Sequence, residues 1–427
     1  MLDIKLLRKE PERIQAKLKT KDPKADVFGL LELDEEIRKL KVQVEELKST
    51  RNHFSKEIGE KKRQGQDASD LLKKVGHFHE DIAKLDHLLA EKEKEFENQM
   101  ATLPNIPMDD VKVSQDPKEN VCIKTFGEKI AFSFPIKNHV ELNEKLHLFD
   151  FKRAAKISGS HWNAYQGKGA LLEWALLNYM IDIHVENGFK FWLPPLLVRP
   201  EIVKGSANLI PKFENQLFKV QDADYELYLI PTSEAALMGL HYDEIMSSDE
   251  LPFKYAAYTP CFRREAGGLG AQERGLIRMH QFNKVEMFAF TLPDQSAALF
   301  EEMLASAEEI LQGLNMHYRV MNLVTGDMSF AASKTLDVEV YLPGQNRYYE
   351  VSSISHCSDF QARRSNTRYK VKEEKPEFVH TLNGSGLATS RLMVALLENN
   401  QQEDGSVKIP LVLHKYLGGM KELRPST

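Results

Sequence analysis

Two runs of apolar residues near the start of the chain repeat with the heptad spacing of a coiled coil. The runs cover 30–47 and 71–89, and their apolar residues recur at alternating steps of three and four. Between the runs, the segment KRQGQD at 62–67 is polar and carries a glycine suited to a turn. Because the runs match in length and the break is short, the pattern predicts an antiparallel helical hairpin over about 28–98, in preference to a coiled coil between chains. We assign this hairpin to an N-terminal domain at 1–100.

Basic side chains are concentrated in the outer half of the predicted hairpin. Residues 48–74 carry eight lysines and arginines against four acids, whereas the whole chain has 57 basic and 63 acidic side chains and a net charge of −6. The chain is therefore not a globally basic nucleic-acid binder, but a basic patch on an acidic body suits a polyanion. A solvated coiled-coil surface is also rich in charge, and the charge pattern alone leaves both interpretations open. The basic residues are Lys48, Arg51, Lys56, Lys61, Lys62, Arg63, Lys73 and Lys74.

The remainder of the chain is interpreted as a linker followed by a mixed α+β domain. Prolines among Asn and Asp indicate a linker, and VCIKTFGEKIAFSF at 121–134 alternates like a β-hairpin, so 101–137 is predicted as linker and hairpin. From 138 to 427, long strand patterns with few crossover helices favour an antiparallel sheet flanked by helices. Three scattered cysteines, a charged N-terminal segment and the lack of a long apolar helix favour a cytoplasmic protein without signal peptide or membrane span.

Polar and aromatic residues alternate along the segment RMHQFNKVE at 278–286. If this segment is a strand, five side chains share one face, which is costly to bury unless it lines a polar cavity: Arg278, His280, Phe282, Lys284 and Glu286. Just upstream, Arg263 and Glu265 share a face in the same way. Guanidinium groups bind phosphate oxygens and an aromatic ring can stack on a base. The two segments therefore predict a hairpin over a nucleotide site, with an exposed amphipathic ribbon as the alternative.

Two further segments carry candidate ligands. Glu350 in YYEVSS at 348–353 could hold a hard cation, but strict alternation gives it the same face as Ser352. A β-bulge would be needed for Glu350 and Ser353 to point to one side. The phrase NGSGL at 383–387 precedes an apolar helical run, and we interpret it as a Gly-rich loop at a helix N-terminus, which favours anions. It matches neither a Walker loop nor a dinucleotide fingerprint.

These segments resemble the motifs of class II aminoacyl-tRNA synthetases, and with the helical hairpin the whole chain resembles a bacterial-type seryl-tRNA synthetase. The motif 1, 2 and 3 matches are GFKFWLPP at 188–195, FRRE at 262–265 with GLIRMHQFNKVE at 275–286, and GLATSR at 386–391. Segments similar to the family's serine-specific signatures are TSE at 232–234, DFQARR at 359–364 and TLNGS at 381–385. The chain departs from the usual family pattern at Gly268, Gln272, Glu273, Thr389 and Ser390.

The resemblance implies ATP-dependent attachment of L-serine to tRNA(Ser) through a seryl-adenylate, and to tRNA(Sec) where that tRNA is present. It also implies a homodimer, Mg²⁺ and no zinc, and a hairpin whose basic residues bind the long variable arm of the tRNA. Arg263, Glu286 and Arg391 would be the catalytic residues. The serine site would comprise Thr232, Ser233, Glu234, Arg263, Glu286, Asn383 and Ser385. The ATP site would comprise Arg263, Arg264, Glu265, Arg278, Phe282, Glu350, Val351, Ser352, Ser353 and Arg391, with Glu350 and Ser353 holding the divalent ion.

Three other functions remain open from the sequence. A synthetase homologue that loads an amino acid onto a carrier protein would share the core motifs, but such homologues lack the long helical arm. A non-catalytic RNA-binding paralogue would be marked by degenerate motif arginines, whereas Arg263 and Arg391 are both present. A coiled-coil scaffold would explain residues 28–98 and nothing after 230.

Overall fold

The computed structural model describes residues 1–206, 214–265 and 275–425, and the chain divides into two compact units after Pro104. The first unit is helical throughout its regular structure. Its helices are α1 (Ile4–Lys9), α2 (Pro11–Lys21), α3 (Val27–Arg63) and α4 (Ser69–Thr102).

Helices α3 and α4 form the antiparallel hairpin that the heptad spacing predicts. Phe54 of α3 stacks on Phe78 of α4 with ring centroids 5.7 Å apart, and Lys48 Nζ lies 3.2 Å from Asp86 Oδ1. Phe54 follows Lys48 along α3, whereas its partner Phe78 precedes Asp86 along α4. This reversed order is what antiparallel helices require. The apolar seam is shielded from water, and this burial stabilises the hairpin. Its buried members include Leu30, Leu33, Ile37, Val44, Ile58 and Ile82.

The second unit, from Asn105 onward, combines helices with an extensive antiparallel sheet. Its helices are α5 (His139–Leu146), α6 (Phe151–Ser158), α7 (Lys168–Glu186), α8 (Pro200–Gly205), α9 (Ser233–Gly239), α10 (Ser296–Gly313), α11 (Phe360–Ser365) and α12 (Thr389–Asn399). Its strands are β1 (Val121–Phe126), β2 (Lys190–Trp192), β3 (Leu197–Val198), β4 (Lys219–Gln221), β5 (Glu226–Leu229), β6 (Ile245–Ser247), β7 (Phe253–Phe262), β8 (Gln281–Thr291), β9 (Tyr318–Asn322), β10 (Lys334–Leu342), β11 (Arg347–Ser358), β12 (Arg368–Lys370), β13 (Glu377–Phe378), β14 (His380–Ala388), β15 (Val407–Lys408) and β16 (Glu422–Leu423).

An eight-stranded sheet in the order β1-β9-β10-β11-β14-β8-β7-β2 organises this unit. Its neighbouring strands are antiparallel except for β2 and β7, which are parallel. Apolar side chains of α7, α10 and α12 join those of the central strands in one buried cluster. The predicted α+β class and antiparallel sheet are therefore confirmed.

The predicted β-hairpin at 121–134 is wrong. Strand β1 pairs instead with β9, so that Val121 lies opposite Asn322 and Phe126 opposite Tyr318. The Phe126 ring also stacks on the buried Tyr318 ring, with centroids 5.2 Å apart. Gly127 has a φ of +67°, and no strand follows it before α5. Pairing with β9 and this stacking outweigh the local alternation, which cannot reveal a partner strand nearly two hundred residues away.

The predicted Gly-rich loop at 383–387 is also wrong, because strand β14 continues through it and α12 begins directly afterwards at Thr389. The glycines serve close packing. Gly384 lies between Ile354 and Met287 of the neighbouring strands, and a Cβ on Gly386 would lie 2.2 Å from His184 Nε2. In the part of the chain that the structure describes, no helix is both long and apolar enough to cross a bilayer.

Candidate active site

Strands β8 and β14 place two of the residues predicted to bind serine side by side. Glu286 on β8 pairs with Ala257 on β7 and with Ser385 on β14. Side chains of directly opposed residues lie on the same face of a sheet, so Glu286 and Ser385 are neighbours. The Ser385 hydroxyl is buried and has no hydrogen-bond partner among the described residues. A buried hydroxyl of this kind suits a polar ligand that would satisfy it.

Thr232, Lys284 and Glu286 form a buried ionic cluster beside this pair. Lys284 Nζ donates to Thr232 Oγ1 at 2.7 Å and forms a short ion pair with Glu286, while Thr232 Oγ1 donates to Glu286 Oε2 at 3.1 Å. Burial raises the pKa of Glu286, and the Lys284 charge opposes that rise. The strand alternation placed Lys284 on the face of Glu286 but gave it no role. Its two contacts make it part of the site.

Glu234 extends the cluster from the first turn of α9. The backbone N–H of Glu234 donates to the Thr232 side chain that caps this helix, and Asn383 Nδ2 donates to Glu234 Oε1 at 3.2 Å. Burial, followed by repulsion from Glu286, raises the pKa of Glu234 to about 7. The intervening Ser233 is fully buried and its hydroxyl is 2.6 Å from Thr259 Oγ1, so its side chain supports the helix instead of facing a ligand.

Arg263 lies immediately beyond the end of β7, where the ladder with β8 continues. Its N–H donates to the His280 carbonyl at 2.9 Å, and its Nε donates to the Pro231 carbonyl at 3.2 Å. The guanidinium carbon lies 5.2 Å from the centroid of the half-buried Phe282 ring. A cation and an aromatic surface therefore lie side by side, and this arrangement suits the phosphates and the base of a nucleotide.

The other predicted ATP residues near these strands are arranged less regularly. Arg278 precedes β8, so the prediction of one strand from 278 to 286 is wrong at its first residues, where the chain turns. Arg278 Nη1 nevertheless lies 3.3 Å from Glu265 Oε2. Arg264 is exposed. Gly268, Gln272 and Glu273 lie outside the described residues.

A bulge in β11 places Glu350 and Ser353 as the sequence required. Ser352 pairs with Val338 and Glu350 pairs with the next residue, Glu339, so Val351 is the extra residue. The predicted bulge is therefore confirmed. Val351 and Ser352 are buried, and the Ser352 hydroxyl donates to the Ser385 carbonyl. Arg391 Nη1 donates to the Glu350 carbonyl at 2.8 Å and lies 3.3 Å from Glu350 Oε2.

The surroundings of Glu350 and Ser353 fit a hard divalent cation. Asp337 pairs with Ser353 across β10 and β11, and burial together with the Glu350 charge holds the pKa of Asp337 well above its usual range. Asp337 Oδ1 has no hydrogen-bond partner in the described ranges. The side chains of Asp337, Glu350 and Ser353 all offer oxygen atoms as ligands, and oxygen is the ligand atom that Mg²⁺ prefers. Three or more His, Cys, Asp or Glu ligands do not converge within the described residues, so phosphate oxygens would have to complete the coordination.

The basic residues of the hairpin differ in how far they are engaged. Lys56, Lys62 and Lys73 are exposed, whereas Lys48 pairs with Asp86 and Lys61 Nζ lies 3.8 Å from Glu57 Oε1. The remaining members make local contacts: Arg51 with Asn52, Arg63 with the Gly59 carbonyl, and Lys74 with the face of the Phe54 ring.

Two family models match the chain. Residues 1–107 match the seryl-tRNA synthetase N-terminal domain, and residues 217–400 match the class II tRNA synthetase core domain (G, H, P, S and T). A serine--tRNA ligase of Chlamydia abortus is 56% identical over 425 residues, covering 100% of both chains. The chain belongs to the seryl-tRNA synthetase family.

Solved structures of seryl-tRNA synthetases agree with this assignment. The enzyme from Pyrococcus horikoshii complexed with ATP has a TM-score of 0.91 at 38% identity, with 100% of both chains covered. The cytoplasmic serine-tRNA ligase from Naegleria fowleri in complex with AMP has a TM-score of 0.87 at 29% identity, covering 100% of this chain and 99% of that one. Carrier-loading homologues lack the N-terminal arm, so the match over 1–107 argues against that alternative.

A buried carboxylate that sequence reasoning missed connects helix α7 to two motif segments of this seryl-tRNA synthetase fold. Glu173 lies on α7, whose C-terminal end leads into motif 1. Its Oε1 accepts from Asn283 Nδ2 of motif 2 at 2.9 Å and, at a shorter distance, from the Thr389 hydroxyl of motif 3. Its Oε2 has no hydrogen-bond partner among the described residues. Thr389 is one of the departures from the family pattern, and this contact gives it a structural role.

We expect Glu173→Gln to stabilise the protein near pH 8 but not near pH 5. Burial raises the pKa of Glu173 from 4.5 to about 7. The pKa of Glu173 is higher in the folded than in the unfolded protein. The free energy of unfolding that Glu173 contributes is therefore fully present below pH 4.5 and is lost as the pH rises through about 7. The loss in the free energy of unfolding between low and high pH is of the order of 3 kcal/mol. Glutamine avoids this loss because its side chain carries no charge at any pH. Unfolding by denaturant at the two pH values measures the effect.

The matched control is Glu308→Gln. Glu308 is equally buried, but it pairs with Lys124 at 2.7 Å, so its replacement should destabilise the protein at both pH values. An equal effect of Glu173→Gln at the two pH values would contradict the assigned pKa.

Proposed function

We propose that the chain is a serine--tRNA ligase, which activates L-serine with ATP and transfers the seryl group to tRNA(Ser) in the cytoplasm. The observation that carries the proposal is the buried cluster of Thr232, Lys284 and Glu286 beside the unpartnered Ser385 hydroxyl. This arrangement offers a small polar pocket. The Glu286 carboxylate can bind the ammonium group of serine, and the Ser385 hydroxyl can hydrogen-bond the serine hydroxyl. Arg263 and Phe282 stand next to it for the nucleotide.

The first step joins the two substrates. The serine carboxylate attacks the α-phosphorus of ATP in line, a new P–O bond forms, and the bond to the β-phosphate breaks to release pyrophosphate. Such a step depends on positioning and on neutralising charge more than on a protein nucleophile. Arg263 binds the α-phosphate, Arg278 binds the γ-phosphate of a bent ATP, and Phe282 and Arg391 enclose the adenine. Glu350 and Ser353 would hold Mg²⁺, which would supply further neutralisation of the phosphate oxygens.

The second step moves the seryl group to tRNA. A hydroxyl of the terminal ribose attacks the carbonyl carbon of seryl-adenylate and loses its proton to solvent. The ester bond to the ribose forms, and AMP leaves with the electron pair of the broken C–O bond. The basic residues at 48–74 bind phosphates of the long variable arm of tRNA(Ser), because backbone contacts recognise RNA shape without reading bases.

Serine is selected by its hydroxyl group. A site that hydrogen-bonds a substrate hydroxyl rejects the analogue without it, because the polar groups of the site are then left unpaired. Alanine would leave the Ser385 hydroxyl unsatisfied, and threonine must be excluded by its additional methyl group.

Amino-acid-dependent ATP–pyrophosphate exchange tests the proposed activity. With a panel of amino acids, serine should support exchange, and alanine, glycine and threonine should support it at least a hundredfold less efficiently. Exchange that is supported equally by another amino acid, or by none, would contradict the proposal.

We expect the protein to be a homodimer in solution. Large apolar side chains are exposed on α7 and in the motif 1 segment, namely Leu171 at 55%, Trp174 at 53% and Leu193 at 71%. Clustered exposed apolar residues are typical of protein interfaces. Light scattering at micromolar concentration should give about twice the chain mass of 48.9 kDa. A fully active monomer would contradict this prediction.

A further inference from the structure

Gln361 has a fully buried amide side chain that contacts Glu234 of the proposed serine site. It lies on α11, within the segment DFQARR, and its side chain has no exposed surface. Its Nε2 donates to Glu234 Oε1 at 2.6 Å, and its Oε1 accepts from the Thr381 hydroxyl at 2.6 Å. Thr381 is also fully buried. The three side chains form a chain of hydrogen bonds that leads from β14 through α11 to α9.

The contacts on both sides fix the orientation of the Gln361 amide. A carboxylate only accepts hydrogen bonds, so the NH₂ group of Gln361 must face Glu234. The Thr381 hydroxyl then donates to the remaining amide oxygen. Rotating the amide by half a turn would place two oxygens against each other at Glu234 in a buried setting, where unmatched polar groups are costly.

The same contacts fix the Glu234 carboxylate. Gln361 and Asn383 both donate to Oε1 of Glu234, at 2.6 and 3.2 Å. Two donors on one oxygen hold the plane of the carboxylate and therefore the place of its second oxygen. Asn383 is itself within 3.3 Å of the Cys357 sulfur, so this arrangement is anchored on β11 as well as on α11.

We propose that Gln361 is a positioning residue that orients Glu234 for binding of the amino-acid substrate, with Thr381 setting the direction of its amide. This inference rests on the proposed function, in which Glu234 lines the serine site. Gln361 does not touch the substrate. It acts through Glu234, and its removal should weaken binding of serine without weakening binding of ATP.

The positioning role predicts a change in the pH dependence of serine binding, because Gln361 influences the charge of Glu234. Glu286 and Lys284 on β8 and Arg263 beyond β7 are the charged groups that act on Glu234, and the first raises its pKa while the other two lower it. The hydrogen bond from Gln361 also favours the charged carboxylate and lowers the pKa. Without Gln361, Glu234 should stay protonated to higher pH, so tight serine binding should begin at a higher pH than in the wild type.

The decisive variant is Gln361→Met, which keeps the volume of the side chain and removes its hydrogen bonds. Pyrophosphate exchange measured across pH 6–9 should show a serine KM raised about tenfold or more at neutral pH, as expected for a lost hydrogen bond to a charged group. The ATP KM should stay within twofold, and the pH midpoint of the serine KM should move upward. Thr381→Val should cause a smaller change of the same kind.

Two further variants separate the possible outcomes. Gln401→Met removes another fully hydrogen-bonded buried amide, which contacts Lys137 and the Glu398 carbonyl, and should leave the serine KM and its pH midpoint unchanged. Glu234→Gln tests the proposed site: an unchanged serine KM there would overturn the placement of Glu234 itself. If Glu234→Gln raises the serine KM but Gln361→Met raises serine and ATP KM equally, or leaves the pH midpoint in place, the positioning role is wrong. If Gln361→Met does not fold, Thr381→Val decides by the same two readouts.

Discussion

The Glu286→Ala variant is expected to lose about 30- to 1,000-fold of serine-dependent pyrophosphate exchange, which corresponds to ~2–4 kcal/mol of lost transition-state binding. Glu286 is 2% exposed and accepts hydrogen bonds from Thr232 and Lys284. Its removal would take away the anionic group proposed for the substrate ammonium. It would also leave the buried Lys284 ammonium without a carboxylate partner, which is costly.

Loss of folding must be separated from loss of binding in this experiment. Glu308→Ala is the matched control, because Glu308 is a buried carboxylate paired with Lys124 and hydrogen-bonded by Tyr318, away from the proposed site. It should lower the thermal unfolding temperature and leave exchange close to wild type. Exchange within twofold of wild type in Glu286→Ala would remove Glu286 from the serine site.

Periodicity predicts the parts of the molecule in which the residue spacing within one helix or strand determines which side chains share a face. The heptad seams gave the hairpin of α3 and α4, since a coiled coil buries residues at fixed steps along each helix. Alternation placed Phe282, Lys284 and Glu286 together on β8 for a similar reason. It also showed that Glu350 and Ser353 required a bulge, which the register of β10 and β11 contains.

Contacts between distant segments could not be read from periodicity. Strand β1 pairs with β9, where Phe126 stacks on Tyr318. The glycines before α12 lie within the sheet, because Ile354 packs against Gly384 and His184 against Gly386. Gln361 and Glu173 received no role for the same reason. The segment containing Gln361 is similar to a serine-specific signature of the family, but the hydrogen-bond partner of Gln361, Glu234, lies 127 residues away. A role can be assigned to a buried polar residue only when its hydrogen-bond partner is known.

Replacing residues 30–97 by a short Gly-Ser linker is expected to abolish tRNA charging while leaving pyrophosphate exchange nearly intact. The chain divides into two compact units after Pro104, and every residue proposed to bind serine or ATP lies in the second. The deleted residues belong to α3, α4 and the turn between them, and the two helices bury an apolar seam against each other. Serylation of tRNA and exchange, assayed on the same preparation, would measure the separation. Loss of both activities together would contradict it.

The charge at the outer end of the hairpin allows a sharper form of this prediction. Reversing Lys61, Lys62 and Arg63 to Glu should weaken tRNA binding and flatten its salt dependence, because each lost contact to a duplex phosphate lowers the log–log slope by roughly 0.9. The matched control reverses three exposed lysines of the same unit outside 48–74, Lys19, Lys39 and Lys94, and should change the slope less. The two triple variants alter the net charge equally, so a difference between them reports location instead of overall charge. An unchanged affinity and slope in the first variant would mean that these side chains are a solvated surface, and the hairpin would then serve a partner other than tRNA or a purely structural purpose.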